Sequence, residues 1–174
     1  MRTVFAISLL ALSVAAVGCK KGSATVPHPS FPGTPDGAKA LLGEYLKPGA
    51  DVTTLIKGLR PDPEDYAVVF TGDAAKKVQA VEDTMWNSGQ ANLKAAHATQ
   101  TELLLLSATT DELKAGSPNC PGGYKEAAAQ MKSGLTVYCF KFVEPGSKTG
   151  TAFDGLIFVN GHWALFSKPW RALK

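Results

Sequence analysis

The sequence predicts an α+β domain in which N-terminal helices pack on a curved antiparallel sheet of about four strands, ending in a β-hairpin. Three observations carry that reading. Between about residues 36 and 90, apolar residues recur at three- and four-residue spacing, punctuated by capping acids, Pro and Gly. After about residue 97 the spacing changes to apolar runs and alternation, the pattern of strands. Asn160-Gly161 then joins two such runs, the strongest short hairpin signal. Helices first and strands second, in a chain of 174 residues, point to one domain with its α and β elements segregated.

The helices follow in order. Ala38, Leu41, Leu42, Tyr45 and Leu46 form one stripe, closed by Pro48-Gly49. Asp51 caps a second helix carrying Val52, Leu55, Ile56 and Leu59, stopped by Pro61. Asp62-Pro63-Glu64-Asp65 opens a third: a capping acid, Pro at the first position, and further acids at the positive end of the dipole. Tyr66, Val69 and Phe70 should be its buried side. Asp73 caps a fourth, with Val78, Val81 and Met85 inward and Gly89 closing it.

The strands come next. Residues 99–108 carry Leu103-Leu104-Leu105-Leu106 between threonines and read as a strand covered on both faces, with His97 at its start. One helical turn at 111–114, a loop at 117–123 and a short helix at 124–132 follow. Residues 135–143 alternate, with Tyr138, Phe140 and Phe142 on one face and Val137, Cys139 and Val143 on the other. Those aromatics read as core rather than as a ligand platform. Residues 151–159 and 162–168 flank the Asn-Gly turn, which sets Val159 opposite His162, Phe158 opposite Trp163 and Leu156 opposite Leu165. Gly155 then faces Phe166, an aromatic covering a glycine gap. Trp170 either packs as a C-terminal plug or presents an aromatic to a partner.

Composition narrows the function classes. Apolar residues make up 45% and charged residues 19%, against a usual charged share of about 25%, which excludes a disordered chain. A net charge of +3, without basic and aromatic residues interleaved, excludes a nucleic-acid partner. No GxSxG, P-loop, HExxH, dinucleotide fingerprint or calcium loop occurs, so no motif calls for a cofactor. Zinc needs three or four ligands, and no metal-ligand spacing stands in the chain. His162, just past the hairpin turn, reads as a surface residue.

The N-terminus has a pattern of its own. Met1-Arg2 leads into an uncharged run over residues 3–18, short of the roughly 20 residues that span a bilayer, and Cys19-Lys20-Lys21 follows. With Ala16-Val17-Gly18-Cys19 it resembles the lipobox signal of bacterial lipoproteins. The resemblance implies a signal peptide at 1–18, cleavage before Cys19, and lipidation of that cysteine. Two or three acyl chains anchor stably where one does not, at about 0.8 kcal/mol per buried CH₂. The alternatives are an ordinary cleavage site at Ser13-Val14-Ala15 or an uncleaved anchor. The resemblance implies a cell-envelope location. Lys20 is not the Asp that retains many such lipoproteins at the inner membrane, which favours the outer membrane.

Residues 19–35 then read as the lipidated cysteine and a proline-rich tether, with Pro27, Pro29, Pro32 and Pro35. Such a spacer cannot be a helix or a central strand and reaches about 50 Å. His28 reads as a solvated linker residue. The globular domain is 36–174. In an oxidising compartment, Cys120 and Cys139 suggest a disulfide worth roughly 3 kcal/mol in the chain-entropy model. A buried free Cys139 or a reactive Cys120 are the alternatives.

The order of elements, with Asp154-Gly155 leading through a strand to Gly161-His162-Trp163, resembles the nuclear transport factor 2-like cone and its bacterial lipoprotein members. A cystatin-like helix-on-sheet domain is the nearest competitor. The cone implies a pocket between helices and sheet into which Asp154, Tyr138 and Tyr45 would point, with Asp154 as a proton-moving base of raised pKa. The competing role for Asp154 is a strand-bulge residue accepting backbone amides. Three functions follow: a non-catalytic envelope binding or accessory domain, taking an envelope protein, peptidoglycan or a small apolar ligand; a cone-fold isomerase or dehydratase; or a structural or inhibitory domain with no pocket.

Overall fold

The computed structural model describes residues 27–174. Residues 1–18, read as a signal peptide, together with Cys19 and the start of the tether lie outside the described residues.

Helix α1 (Pro35–Glu44) has Pro35 in its first turn and is capped by Thr34, whose side chain accepts the Gly37 amide at 3.1 Å. It buries Ala38, Leu41 and Leu42. Helix α2 (Val52–Lys57) is capped by Asp51, as expected, through the Thr54 amide and hydroxyl. Helix α3 (Asp65–Val69) buries Tyr66 and Val69. Its local cap differs from the expected one, since the Asp65 carboxylate accepts the Asp62 amide at 2.7 Å rather than Asp62 serving as cap.

Helix α4 (Gly72–Asn87) begins before Asp73, which sits in its first turn. Its buried line is Ala74, Val78 and Glu82, while Val81 is 50% exposed where an inward residue was expected. The four-residue repeat carries Glu82 under the Tyr66 hydroxyl, which donates to Glu82 Oε2 at 3.0 Å. That bond lets a carboxyl occupy the face a valine would otherwise take.

The sheet is open and antiparallel, in the order β1 (Glu102–Thr109), β2 (Thr136–Val143), β3 (Gly150–Val159), β4 (His162–Leu165). Short helices α5 (Thr110–Lys114) and α6 (Tyr124–Ala128) intervene, and a 3₁₀ turn at Pro169–Arg171 follows β4. A capping box between Thr109 and Glu112 starts α5. The β3–β4 register is the one the Asn-Gly turn predicts, from Val159 opposite His162 to Leu156 opposite Leu165. Asn160 and Gly161 both have positive φ, as the tight turn requires. Phe166 then donates its amide to the Gly155 carbonyl at 2.8 Å.

Helices cover both faces of the sheet. On one face Tyr138, Phe140, Phe142, Leu156, Trp163 and Leu165 meet Leu41, Leu42, Tyr45 and Ile56 from α1, α2 and their connection. On the other, Val137, Cys139, Ile157, Ala164 and Phe166 meet Tyr66, Val78, Leu113 and Tyr124 from the later helices. The alternation of β2 feeds the two cores in turn. Among the described residues, no helix is long and apolar enough to cross a membrane.

Residues 27–34, read as free tether, lie against the domain. The Phe31 carbonyl accepts the Trp163 indole N–H at 3.2 Å, and Gly33 lies against the Phe158 ring. His28 is half-buried by contacts of its own. Prolines deny this segment a helix but leave its carbonyls and side chains free to pack.

Candidate functional site

The sheet separates the three residues expected to share a pocket. Tyr45 and Tyr138 belong to the α1–α2 core, whereas Asp154 lies on the other side among the later helices. A bulge causes this. Phe140 pairs with Phe153 and Tyr138 with Leu156, so Asp154 and Gly155 together oppose the single residue Cys139. The extra residue turns Asp154 to the face opposite Phe153 and Leu156. Gly155 absorbs the bend at φ 86°, and any Cβ there would strike the Phe166 carbonyl oxygen.

Asp154 Oδ1 accepts the Lys168 amide at 2.9 Å and the Tyr124 hydroxyl at 3.1 Å. Burial raises its pKa, and these two donors oppose the rise. The carboxyl is thus pinned by a backbone donor, the bulge role rather than the base role. Tyr124, the tyrosine that does partner it, is raised by burial and then by Asp154 itself. Nearby, burial raises the Glu82 carboxyl well above its ordinary value, with Asp83 and Asp154 adding to it against the Tyr66 bond. Tyr45 is raised by burial, and its hydroxyl has no partner among the described residues.

Cys120 and Cys139 form the expected disulfide, with Cα atoms 5.5 Å apart. It ties the 117–123 loop to β2. Trp170 packs edge-on against Tyr124 at 4.9 Å, the plug arrangement.

An open surface lies at β1. Among the described residues, β2 is its only neighbour, so one edge is unpaired. Thr110 donates to the Leu135 carbonyl toward β2, which places Leu103, Leu105, Ser107 and Thr109, at alternate positions, with their backbone groups turned outward. The chain caps the far end itself: Asn119 Nδ2 donates to the Ser107 carbonyl at 2.8 Å, and Thr109 donates its amide to Glu112 at 2.7 Å. The stretch at Leu103 and Leu105 keeps its groups free.

A groove lies on each side of this edge. One, of about 720 Å³, runs between Leu46 at the end of α1 and Leu103–Leu105, beside Lys39 and Lys47. The other, of about 540 Å³, runs over Leu104, Leu106 and the disulfide, beside Lys141 and Lys148. Leu106 is 45% exposed, so β1 is not the strand covered on both faces that its leucines suggest. Lys39 pairs with Asp36 and Lys47 with Glu44, both acids of α1, but Lys141 and Lys148 have no acidic partner among the described residues.

A second cluster forms where the hairpin tip meets α3. The Asp65 carboxylate is fully buried and accepts from Asn160 Nδ2 at 2.7 Å, His162 Nε2 at 2.9 Å and the Asp62 amide at 2.7 Å. His28 stacks on His162 with ring centroids 3.7 Å apart and planes 15° from parallel. His28 Nδ1 donates to the Gly58 carbonyl at 2.8 Å, and its Nε2 lies 3.2 Å from Asp62 Oδ2. One ligand-type atom from each of His28, Asp62 and His162 lies within 4.8 Å of the others. No spacing in the sequence signals this group, because its members come from three separate segments. The only hint was the Asn-Gly turn, which places His162 at a hairpin tip.

Comparison with protein-family models, characterised proteins and solved structures gave no match.

Proposed function

We propose that this is a lipid-anchored accessory domain of the bacterial cell envelope that binds an extended segment of a protein partner along β1. The observation that carries the reading is the unpaired edge at Leu103 and Leu105, set between two apolar grooves. Proteins usually blunt a free edge with charge, proline or cover. The Leu103–Leu106 stretch itself carries neither charge nor proline. Added strands gain affinity from backbone hydrogen bonds and specificity from alternate side chains entering pockets on the two faces. The grooves beside β1 have that placement. Lys141 and Lys148 favour a segment that alternates apolar and acidic residues.

The anchor supports the same reading. Residues 27–34 leave the domain on the β4 side, and β1 is the opposite edge of the sheet, three strand spacings or about 14 Å away. A lipid on Cys19 would hold the domain at most about 28 Å of chain from Pro27, with the binding edge away from the point of attachment. The reading of Asp154, Tyr138 and Tyr45 as an isomerase or dehydratase pocket loses its support, since the sheet divides them. The open sheet, covered on both faces, likewise gives the nuclear transport factor 2-like cone less support than the order of elements suggested.

The test uses the full chain and a panel of labelled eight-residue peptides alternating apolar and acidic residues, read by fluorescence anisotropy. Saturable binding that weakens with salt and is lost in a folded Leu106→Asp variant is the expected outcome. Failure of the whole panel to bind, or equal binding by Leu106→Asp, overturns the reading.

A further inference from the structure

We propose that His28, His162 and Asp62 form a site for one divalent transition-metal ion of the zinc class, which clamps residues 27–34 onto the hairpin tip. The chemistry begins with the hydrogen bonds. A carbonyl only accepts, so His28 must carry its proton on Nδ1 to meet Gly58 at 2.8 Å. A ring that carries only that proton turns a lone pair from Nε2 toward the Asp62 carboxylate, 3.2 Å away. Two acceptors at that distance repel unless a cation stands between them. His162 likewise has one ring nitrogen held and one left over. Its Nε2–H is given to buried Asp65, and its Nδ1 has no hydrogen-bond partner among the described residues.

Each histidine therefore has one nitrogen held by an acceptor, a backbone carbonyl for His28 and a buried carboxylate for His162. These are the outer partners that fix the ring of a metal-bound histidine. Two imidazole nitrogens and one carboxylate oxygen suit zinc and its neighbours, with a fourth position left for water or another ligand. Partial exposure of all three side chains leaves a path for the ion, with His162 the least exposed at 11%.

Binding has a definite geometric demand. Ligand atoms about 2.0–2.2 Å from zinc stand closer together than the present 4.8 Å limit. The lone pairs also lie in ring planes stacked 3.7 Å apart and only 15° from parallel, so they do not meet at one point. Coordination must open the stack, which rotation of the His28 ring about its Nδ1–H bond to the Gly58 carbonyl does without breaking that bond.

The experiment titrates zinc chloride, and separately cobalt chloride, into the untagged, chelator-treated full chain, read by calorimetry and visible cobalt absorption. One ion per chain at micromolar or tighter affinity is expected, together with a rise in Tm. His28→Gln should weaken binding by about tenfold or more and abolish the rise in Tm. His162→Gln should do the same, Asp62→Asn should weaken binding, and His97→Gln should leave it unchanged. His28→Gln decides the matter if His162→Gln fails to fold. Binding only at millimolar zinc, or undiminished binding by His28→Gln, overturns the proposal and leaves a proton as the cation between His28 and Asp62.

Discussion

At β4 the chain finishes its own sheet, whereas at β1 it leaves the sheet open. The Leu59 carbonyl accepts the outward Leu165 amide at 2.9 Å, Phe31 takes the Trp163 indole, and His28 stacks over His162. At β1 only the far end is capped, by Asn119 and Glu112. The side chains follow the backbone: Trp163 is fully buried, and Leu106 is 45% exposed. Both edges obey the same hydrogen-bonding requirement, so the difference locates stability at β4 and availability at β1.

That contrast sets the size of the effects expected from mutation. Trp163→Ala removes a fully buried indole on the sealed side and should cost about 3–5 kcal/mol. Denaturant unfolding measures it, and a cost below about 1 kcal/mol would break the division between the edges. Next is the Cys120–Cys139 bridge, which borders the open groove. Its reduction should cost about 3 kcal/mol and also weaken peptide binding, because the 117–123 loop walls that groove. Loss of stability without loss of binding would separate the bridge from the site.

The buried carboxyls give a pH dependence with a definite sign. Burial raises Glu82 above its ordinary 4.5, so above that pH the folded chain holds a proton that the unfolded chain releases. The contribution of Glu82 to stability is therefore full below about pH 4.5 and is lost as pH rises through the raised value. Glu82→Gln keeps an acceptor for Tyr66 and removes the titration. Its Tm should lie near that of the unsubstituted chain at pH 4 and exceed it as pH rises above 4.5. Parallel Tm curves would show that Glu82 does not titrate in that window. The smallest effect belongs to the open edge: Leu106→Asp should change stability by no more than about 0.5 kcal/mol while removing peptide binding.

Much of the fold was legible where the cause is local. Asn160-Gly161 specifies its own turn and therefore the register of four residue pairs. The alternation of β2 sorts Tyr138 from Cys139, and Asp51 caps the helix it precedes. The site was less legible because its causes are distant. A bulge that depends on pairing with β2 and on Phe166 turned Asp154 toward Tyr124. Counting by two along β3 could not show that. Glu82 is buried because Tyr66 lies over it, so Val81 was the natural choice from hydrophobicity alone. His28, between two prolines, gained its partners only from α3 and the hairpin tip.

The open edge is tested most directly by amide hydrogen exchange at Leu103 and Leu105 in the full chain, with and without a peptide from the alternating apolar and acidic panel. Strand addition to β1 predicts that both amides exchange fast alone and become protected with peptide, while the β4 amide of Leu165 stays protected throughout. Fast exchange at Leu103 and Leu105 under saturating peptide would contradict it.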